Sequence, residues 1–217
     1  MASHGAGEND VDYEYRFDLP SGWFDLTLEH CHYSDAVILA GSVMKGFNLL
    51  ELDVSRRDLL RDLTDRALIL NSDAPIFAAA CYAPNGNGLA NLKVDTYGEE
   101  GVPRPAPEEV VPMLLKWSNR EVASEPDIKY LDLAAGPAVR VQVMLKAKRR
   151  LGFGRQLSEC VDYAVFPPGV NHLVVVNTRW RSMERTDELS RCTDEFVAAM
   201  RRVPVDINGD EVASPNE

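Results

Sequence analysis

Residues 138–148 run Ala-Val-Arg-Val-Gln-Val-Met-Leu-Lys-Ala-Lys, a regular alternation of apolar and polar side chains. Successive side chains of a β-strand point to opposite faces of its sheet. One face of this segment would therefore carry Val139, Val141, Val143, Leu145 and Ala147. The other face would carry Arg140, Gln142, Lys146 and Lys148. The pattern predicts a strand with one face in the core and one face solvated or lightly covered.

The neighbouring segments on both sides also have the signature of strands. Residues 128–133, 156–166 and 172–180 alternate in the same way, and Gly- and Pro-containing turns separate the four segments. Upstream, the apolar run 75–83 and the alternating run 89–97 flank the sequence Pro84-Asn85-Gly86-Asn87-Gly88, which predicts a hairpin. Residues 23–28 are expected to form a further short strand. Consecutive hairpins predict a mainly antiparallel sheet.

Four segments have the 3.6-residue period of helices, namely 35–47, 55–70, 108–119 and 186–202. The second has a clear start, because Ser55 is a favourable N-cap and Asp58 lies three residues later. In the third, Pro107 suits the first helical position. The helices lie between and after the strands, which predicts an α+β fold and argues against a βαβ nucleotide-binding fold.

The formal net charge of −11 is concentrated at the two ends of the chain. Residues 1–14 and 204–217 each carry four acidic and no basic residues, and the segment 15–203 has a net charge of only −3. We therefore expect a single domain over 15–203 between two disordered acidic tails, 1–14 and 204–217. The absence of a basic footprint argues against binding of nucleic acid or of an anionic membrane.

Four scattered cysteines at 31, 81, 160 and 192 show no disulfide or zinc spacing, so reduced thiols are expected. No export signal or membrane-spanning segment is apparent, which predicts a cytoplasmic protein. The chain also lacks a Gly-x-Ser-x-Gly elbow, a dinucleotide-binding fingerprint and a Walker loop. No residue is identified as catalytic and no cofactor is expected, which favours a protein without enzymatic activity.

Two clusters of side chains are candidate sites. His30 and His32 would share a face if the chain were extended there, and with a third ligand they would form a metal site. An ordinary loop between a strand and a helix is the simpler interpretation, because no second pair of ligands occurs at a useful spacing. The second cluster is basic and surrounds the turn at 149–155, with the residues Arg140, Lys146, Lys148, Arg149, Arg150 and Arg155. It would bind an acidic partner or phosphate, or it would protect the edge of the sheet and cover apolar surface, which is the interpretation we favour.

Several short segments together carry a resemblance to a known fold. They are the opening Phe17-Asp18-Leu19-Pro20-Ser21-Gly22-Trp23, the helical pattern Arg57-x-x-Leu60-x-x-Leu63-x-x-Arg66-Ala67, the hairpin around Asn85-Gly86 and a last helix after a strand ending near Trp180. Over roughly residues 15–203 the chain resembles the Mog1/PsbP-like fold, and more closely uncharacterised actinobacterial proteins predicted to share it. The resemblance implies an α/β/α sandwich with a curved antiparallel sheet. It also implies adaptor functions, such as binding a small GTPase, assisting a photosystem or chaperoning secreted effectors.

These observations lead to three hypotheses about function. The first is a cytoplasmic adaptor or scaffold that binds an unidentified protein partner through the face of its sheet, with homo-oligomerisation left open. The second is a metal-binding protein or enzyme centred on His30 and His32. The third is a carrier of a small apolar ligand in a pocket between sheet and helix.

Overall fold

The computed structural model describes residues 12–99, 101–116, 120–147, 156–206 and 208–212. Its helices are α1 (Tyr33–Val43), α2 (Arg56–Leu70), α3 (Pro107–Leu114) and α4 (Thr186–Ala198). Its strands are β1 (Asp12–Arg16), β2 (Trp23–Asp25), β3 (Phe77–Tyr82), β4 (Gly88–Tyr97), β5 (Arg120–Val122), β6 (Asp127–Leu133), β7 (Gly136–Ala147), β8 (Leu157–Val165), β9 (Leu173–Trp180) and β10 (Arg201–Val205).

Eight of these strands form one antiparallel sheet, and seven of the eight follow the order β2-β3-β4-β9-β8-β7-β5. The long strand β7 also pairs with β6 through its first half, so β5 and β6 lie along the same edge. Strands β4 and β9 are neighbours although α3 and four strands separate them in the chain. The predicted α+β fold with a mainly antiparallel sheet is confirmed.

Helices cover both faces of the sheet. On one face α4 packs through Leu189, Phe196 and Val197 on a cluster that includes Leu92, Val161 and Val176. On the opposite face α1 and α2 cover β2 and β3, and α3 covers the other end of the sheet through Val110 and Leu114. The order of layers is thus helix, sheet, helix, which confirms the predicted α/β/α sandwich. Within the described residues no helix is both long enough and apolar enough to span a membrane.

Three strands and several boundaries differ from the sequence prediction. Strand β5 was not predicted, nor was the separate two-stranded sheet of β1 and β10. Residues 12–14 and 204–205, which we expected in the tails, belong to that small sheet because Asp12 to Glu14 pair with Val203 to Val205. The last helix ends at Ala198 instead of residue 202, since the chain turns back there into β10.

Candidate functional site

A cavity in the described part of the chain lies between α3 and the sheet face that α3 covers. Its volume is about 560 Å³. We call it the α3 cavity. Its floor is formed by β8 and β9, one wall by α3, and its rim by Tyr97 and the segments 98–99 and 102–105. The volume is in the range of about 300–1,000 Å³ that is usual for sites of small molecules.

The loop before α3 is held in place by two sets of contacts. Arg104 donates a hydrogen bond from Nη1 to the carbonyl of Pro167 at 2.7 Å, and its guanidinium lies over the ring of Phe166. At the start of α3, the side chain of Glu109 accepts a hydrogen bond from the N–H of Ala106 at 2.8 Å. These contacts define the position at which the helix begins and hold the preceding residues against the sheet.

Apolar side chains line most of the cavity. Val110 and Leu114 of α3 are buried, as are Leu173 and Val175 of β9 on the floor. Met113, which is 65% exposed, lies at the mouth. An apolar ligand that enters the cavity would remove these groups from water. Burial of apolar surface would then contribute roughly 25 cal/mol per Å² to the free energy of binding.

Polar groups gather at one end of the floor. Asp162 of β8 is buried and accepts a hydrogen bond from Nδ2 of Asn177 at 2.9 Å. Burial raises the pKa of Asp162 from 3.8 to about 6, and the bond from Asn177 and the positive charge of Arg179 oppose that increase. Arg179 is half-buried on the same floor, and Lys116 stands at the end of the α3 wall.

Further positive charges surround Arg179. Arg120 of β5 donates a hydrogen bond from Nη1 to Oγ of Ser158 at 2.7 Å. Its pKa is lowered first by burial and then by the positive charges of Arg179 and Arg181. The guanidinium groups of Arg179 and Arg181 are therefore both close enough to Arg120 to act on its charge.

The structure corrects the expected position of Arg140. We predicted this residue on a lightly covered face together with Lys146, but only 4% of Arg140 is exposed. Helix α4 covers it: Nε donates to Oδ1 of Asp194 at 2.8 Å, and Nη2 donates to Oγ of Ser190 at 2.7 Å. Arg140 thus belongs to an interior polar network and is not available to a partner.

The other members of the predicted basic cluster are not brought together in the described part of the chain. Lys146 is half-buried near the end of β7. Lys148, Arg149, Arg150 and Arg155 lie outside the described residues. Binding of a partner by Lys146 and these four residues stays a prediction.

His30 and His32 lie in the loop between β2 and α1, and both are exposed. The loop is not a strand, contrary to the extended geometry we assumed, since the N–H of His32 donates to the carbonyl of His30 at 2.7 Å. The ring centroids are 5.9 Å apart. Among the described residues, no group of three or more His, Cys, Asp or Glu side chains is placed to hold a metal ion.

All four cysteines are free thiols. Cys81 and Cys160 are buried, as expected for small apolar side chains in the core. Burial raises the pKa of the Cys81 thiol to about 12 and raises that of Cys160 as well. Both thiols are therefore protonated near neutral pH, which makes them poor nucleophiles.

The polar residues of the α3 cavity are not recognisable as a site from the sequence. Asp162, Asn177 and Arg179 were assigned only as members of strands. One signal was present, because Asp162 interrupts the apolar positions Cys160, Ala164 and Phe166 of its segment. A lone carboxylate inside a buried strand requires polar neighbours. Which neighbours these are depends on the pairing of β8 with β9 and on the position of α3.

Comparisons with known proteins concern the fold. No protein-family model matches the chain, and no curated protein is significantly similar to it. LpqN of Mycobacterium tuberculosis, described as involved in cell envelope biogenesis, is 12% identical with a TM-score of 0.45, and the match covers 93% of this chain and 88% of LpqN. PsbP (CyanoP) of Synechocystis sp. PCC 6803 is 10% identical with a TM-score of 0.44, covering 93% of this chain and 97% of that one.

Both of these proteins have the Mog1/PsbP-like fold that the sequence resembles. At such identities and TM-scores the likeness bears on the arrangement of helices and strands and not on function. The fold class follows from the observed strand order and helix layers, independently of these matches.

Proposed function

We propose that this protein binds a small molecule with an apolar body in the α3 cavity. The observation that carries the proposal is the cavity itself, with about 560 Å³ of space, apolar walls and a few polar groups gathered at one end. Enclosed apolar surface gives a ligand affinity, and a small number of polar groups gives it a defined orientation. Of the three functions predicted from the sequence, this is the carrier of a small ligand.

The order of the cavity wall supports the proposal. A ligand binds more tightly when the protein has little conformational freedom to lose on binding. The contacts of Arg104 with Pro167 and Phe166 already hold the loop before α3. Val110 and Leu114 pack on the sheet next to the cavity.

The adaptor hypothesis stays a prediction, as do a protein partner, homo-oligomerisation and a cytoplasmic location. Helices lie on both faces of the described sheet, so a partner that docks on the sheet face would meet α1, α2, α3 or α4 first. The function proposed here needs no protein partner.

Titration with 1-decanol, an uncharged ten-carbon alcohol, tests the proposal. We expect saturable shifts in the methyl NMR signals of Val110, Leu114, Leu173 and Val175. Methyl groups of the α1 and α2 layer should be unaffected. Shifts spread over the whole surface, or none at concentrations up to the solubility of the alcohol, would contradict the proposal.

A pair of variants makes the test specific to the cavity. Met113→Asp places a charge at the apolar mouth and should weaken decanol binding about tenfold, equivalent to about 1.4 kcal/mol. Ile38→Asp is the matched control, because Ile38 is 72% exposed on α1 and does not line the cavity. Equal affinities for the two variants would contradict binding in the α3 cavity.

A further inference from the structure

The floor of the α3 cavity carries two hydrogen-bond acceptors side by side. Asp162 of β8 lies directly opposite Asn177 of β9, and both residues line the cavity. The floor before them is apolar, because Leu173 and Val175 precede Asn177 on the same face of β9. At about 3.4 Å per residue, the distance from Leu173 to Asn177 is roughly 14 Å. A ligand that matches this floor has an apolar body and a polar head group beside Asp162.

The carboxyl group of Asp162 has capacity for a further hydrogen bond. Its Oδ1 accepts from Nδ2 of Asn177 at 2.9 Å, and the described contact of Oδ2 is with the thiol of Cys160 at 3.9 Å, a weak donor. Within the described chain, Oδ1 of Asn177 has no donor either. Buried acceptors normally have a donor within reach. A polar group that enters this end of the cavity is therefore expected to donate a hydrogen bond.

The charges next to this position favour a neutral donor. The pKa of Asp162 is about 6, so at neutral pH its carboxylate repels an anionic head group. The positive charge of Arg179 acts on Asp162 to lower that pKa, and it would repel an ammonium group bound beside Asp162. A neutral hydroxyl meets neither repulsion. Its hydrogen bond to a carboxylate is also of the strong, charge-assisted kind.

We infer that the ligand of the α3 cavity is an apolar molecule whose neutral hydroxyl head group donates a hydrogen bond to the carboxylate of Asp162. This inference rests on the proposed function and specifies its ligand. The apolar body lies along Leu173 and Val175, and the hydroxyl lies next to Asn177. Only 1% of Asp162 is exposed, so little water surrounds this bond, and a hydrogen bond in such a place is electrostatically stronger than in solution.

Two isomeric probes test the need for a donor. 1-Decanol donates and accepts hydrogen bonds, whereas methyl nonyl ether contains the same atoms and only accepts them. At pH 8 we expect decanol to bind about tenfold more tightly, measured through the methyl NMR signals of Leu173 and Val175. Equal binding of the two isomers would overturn this inference and leave the proposed function intact. Absence of binding by both would overturn the proposed function itself.

Two charged probes test whether the head group is neutral. Decanoate and decylammonium have the same ten-carbon chain as decanol and carry opposite charges at pH 8. Both should bind more weakly than decanol below their micelle-forming concentrations, decanoate because Asp162 repels it and decylammonium because Arg179 repels it. Tighter binding of either ion than of decanol would overturn the assignment of a neutral head group.

Protonation of Asp162 should remove the preference for decanol. A protonated carboxyl group is itself a donor and binds the oxygen of the ether as well as that of the alcohol. With a pKa of about 6, the tenfold preference at pH 8 should fall below about threefold at pH 5. The other charged or titratable groups around Asp162 are Arg179, Cys160, Lys116 and, at the rim, Glu99 and Arg104. A preference that is the same at both pH values would contradict the role of Asp162.

Asp162→Asn separates Asp162 from these other groups. Its side-chain amide keeps one oxygen to accept from Asn177 and places an NH₂ group where the carboxylate accepts the ligand hydroxyl. Decanol and the ether should therefore bind about equally to this variant at pH 5 and at pH 8. Asp132→Asn is the matched control, because it removes an exposed charge that does not line the cavity and should keep the tenfold preference at pH 8. Equal preferences in the two variants would contradict binding of the hydroxyl by Asp162.

Discussion

Asp162 is an unusual residue because its carboxyl group is buried inside the protein, at the polar end of a cavity whose other walls are mostly apolar. Only 1% of the residue is exposed, and its described hydrogen-bond donors are Asn177 and, at 3.9 Å, the thiol of Cys160. Burial in this setting favours the protonated form. Ionisation of Asp162 in the folded state therefore lowers the free energy of unfolding.

The first prediction concerns the pH dependence of this effect. The pKa of Asp162 is about 6 in the folded protein against 3.8 for an ordinary aspartate, so the unfolded chain ionises this group at lower pH. Its contribution to the free energy of unfolding should fall as the pH rises from about 4 to about 6, and then stay level. Asp162→Asn removes this dependence. Between pH 4 and pH 8, the free energy of unfolding of the variant should increase by up to about 3 kcal/mol relative to that of the wild type.

Urea unfolding of both proteins at several pH values between 4 and 8 measures the difference. Asp132→Asn is the matched control, because it changes an exposed aspartate on β6. A stability difference between wild type and Asp162→Asn that is constant over this range would contradict the prediction.

Arg140 shows that strand periodicity alone is not sufficient to recognise an exposed residue. Its place in an alternating strand is the same whether α4 covers that face or not. The partners Asp194 and Ser190 lie about 50 residues further along the chain. Strand periodicity determines the face on which a side chain lies, but it contains no information about what packs on that face.

At the scale of elements, helix α2 follows from local sequence alone. Its predicted start is confirmed, because Oγ of Ser55 accepts a hydrogen bond from the N–H of Asp58 at 3.1 Å. Leu59, Leu63, Ala67 and Leu70 form the buried stripe that the 3.6-residue period predicts. A local cap and a regular apolar stripe are sufficient for a correct prediction here.

The second prediction tests the contribution of this cap. Ser55→Ala leaves one N–H of the first helical turn without its acceptor and should lower the free energy of unfolding by about 1 kcal/mol. Ser34→Ala in α1 is the control, since the hydroxyl of Ser34 contacts only the exposed Asp35 and does not cap a helix. Chemical denaturation of the two variants measures both changes. A loss for Ser34→Ala as large as that for Ser55→Ala would argue against a specific effect of the cap.

Elements that depend on pairing were harder to predict. Strand β5 has three residues, and β10 contains a proline, so neither has a clear alternation. Strand β1 lies in an acidic segment with the composition of a tail. Each of these strands exists through pairing with a distant strand, in which, for example, Arg120 lies opposite Ala147 and Tyr15 lies opposite Arg202.

The described part of the molecule contains two β-sheets of very different size. The large sheet has helices on both faces, whereas β1 and β10 form a sheet of two strands only. Two-stranded sheets have little stability of their own, and partial opening of a protein begins where few buried contacts hold the structure. The small sheet is attached to the core through Tyr15, Phe17 and Leu19 of the N-terminal segment.

The third prediction is therefore an order of local stability, measured by amide hydrogen exchange. Amides in β8 and β9, the central strands, should exchange only through global unfolding. Amides of β1 and β10 should exchange at least about tenfold faster, because local opening of the small sheet leaves the large sheet intact. Equal protection of β1 and β8 would show that the two sheets open as one unit.

Local sequence patterns were sufficient for the class of the fold and most of its elements. Alternation of apolar residues, turn residues and a helix cap act over a few neighbouring positions, and they predict the hairpins, the helices and the α+β class, whereas the α/β/α layering was implied by the resemblance to a known fold. Which polar residues lie together depends on tertiary contacts. The α3 cavity exists because β9 pairs with β8 and α3 packs over both, which brings Lys116, Asp162 and Arg179 together from three elements. Local sequence patterns cannot predict that these residues lie close together, because their proximity depends on contacts between segments that are far apart in the chain.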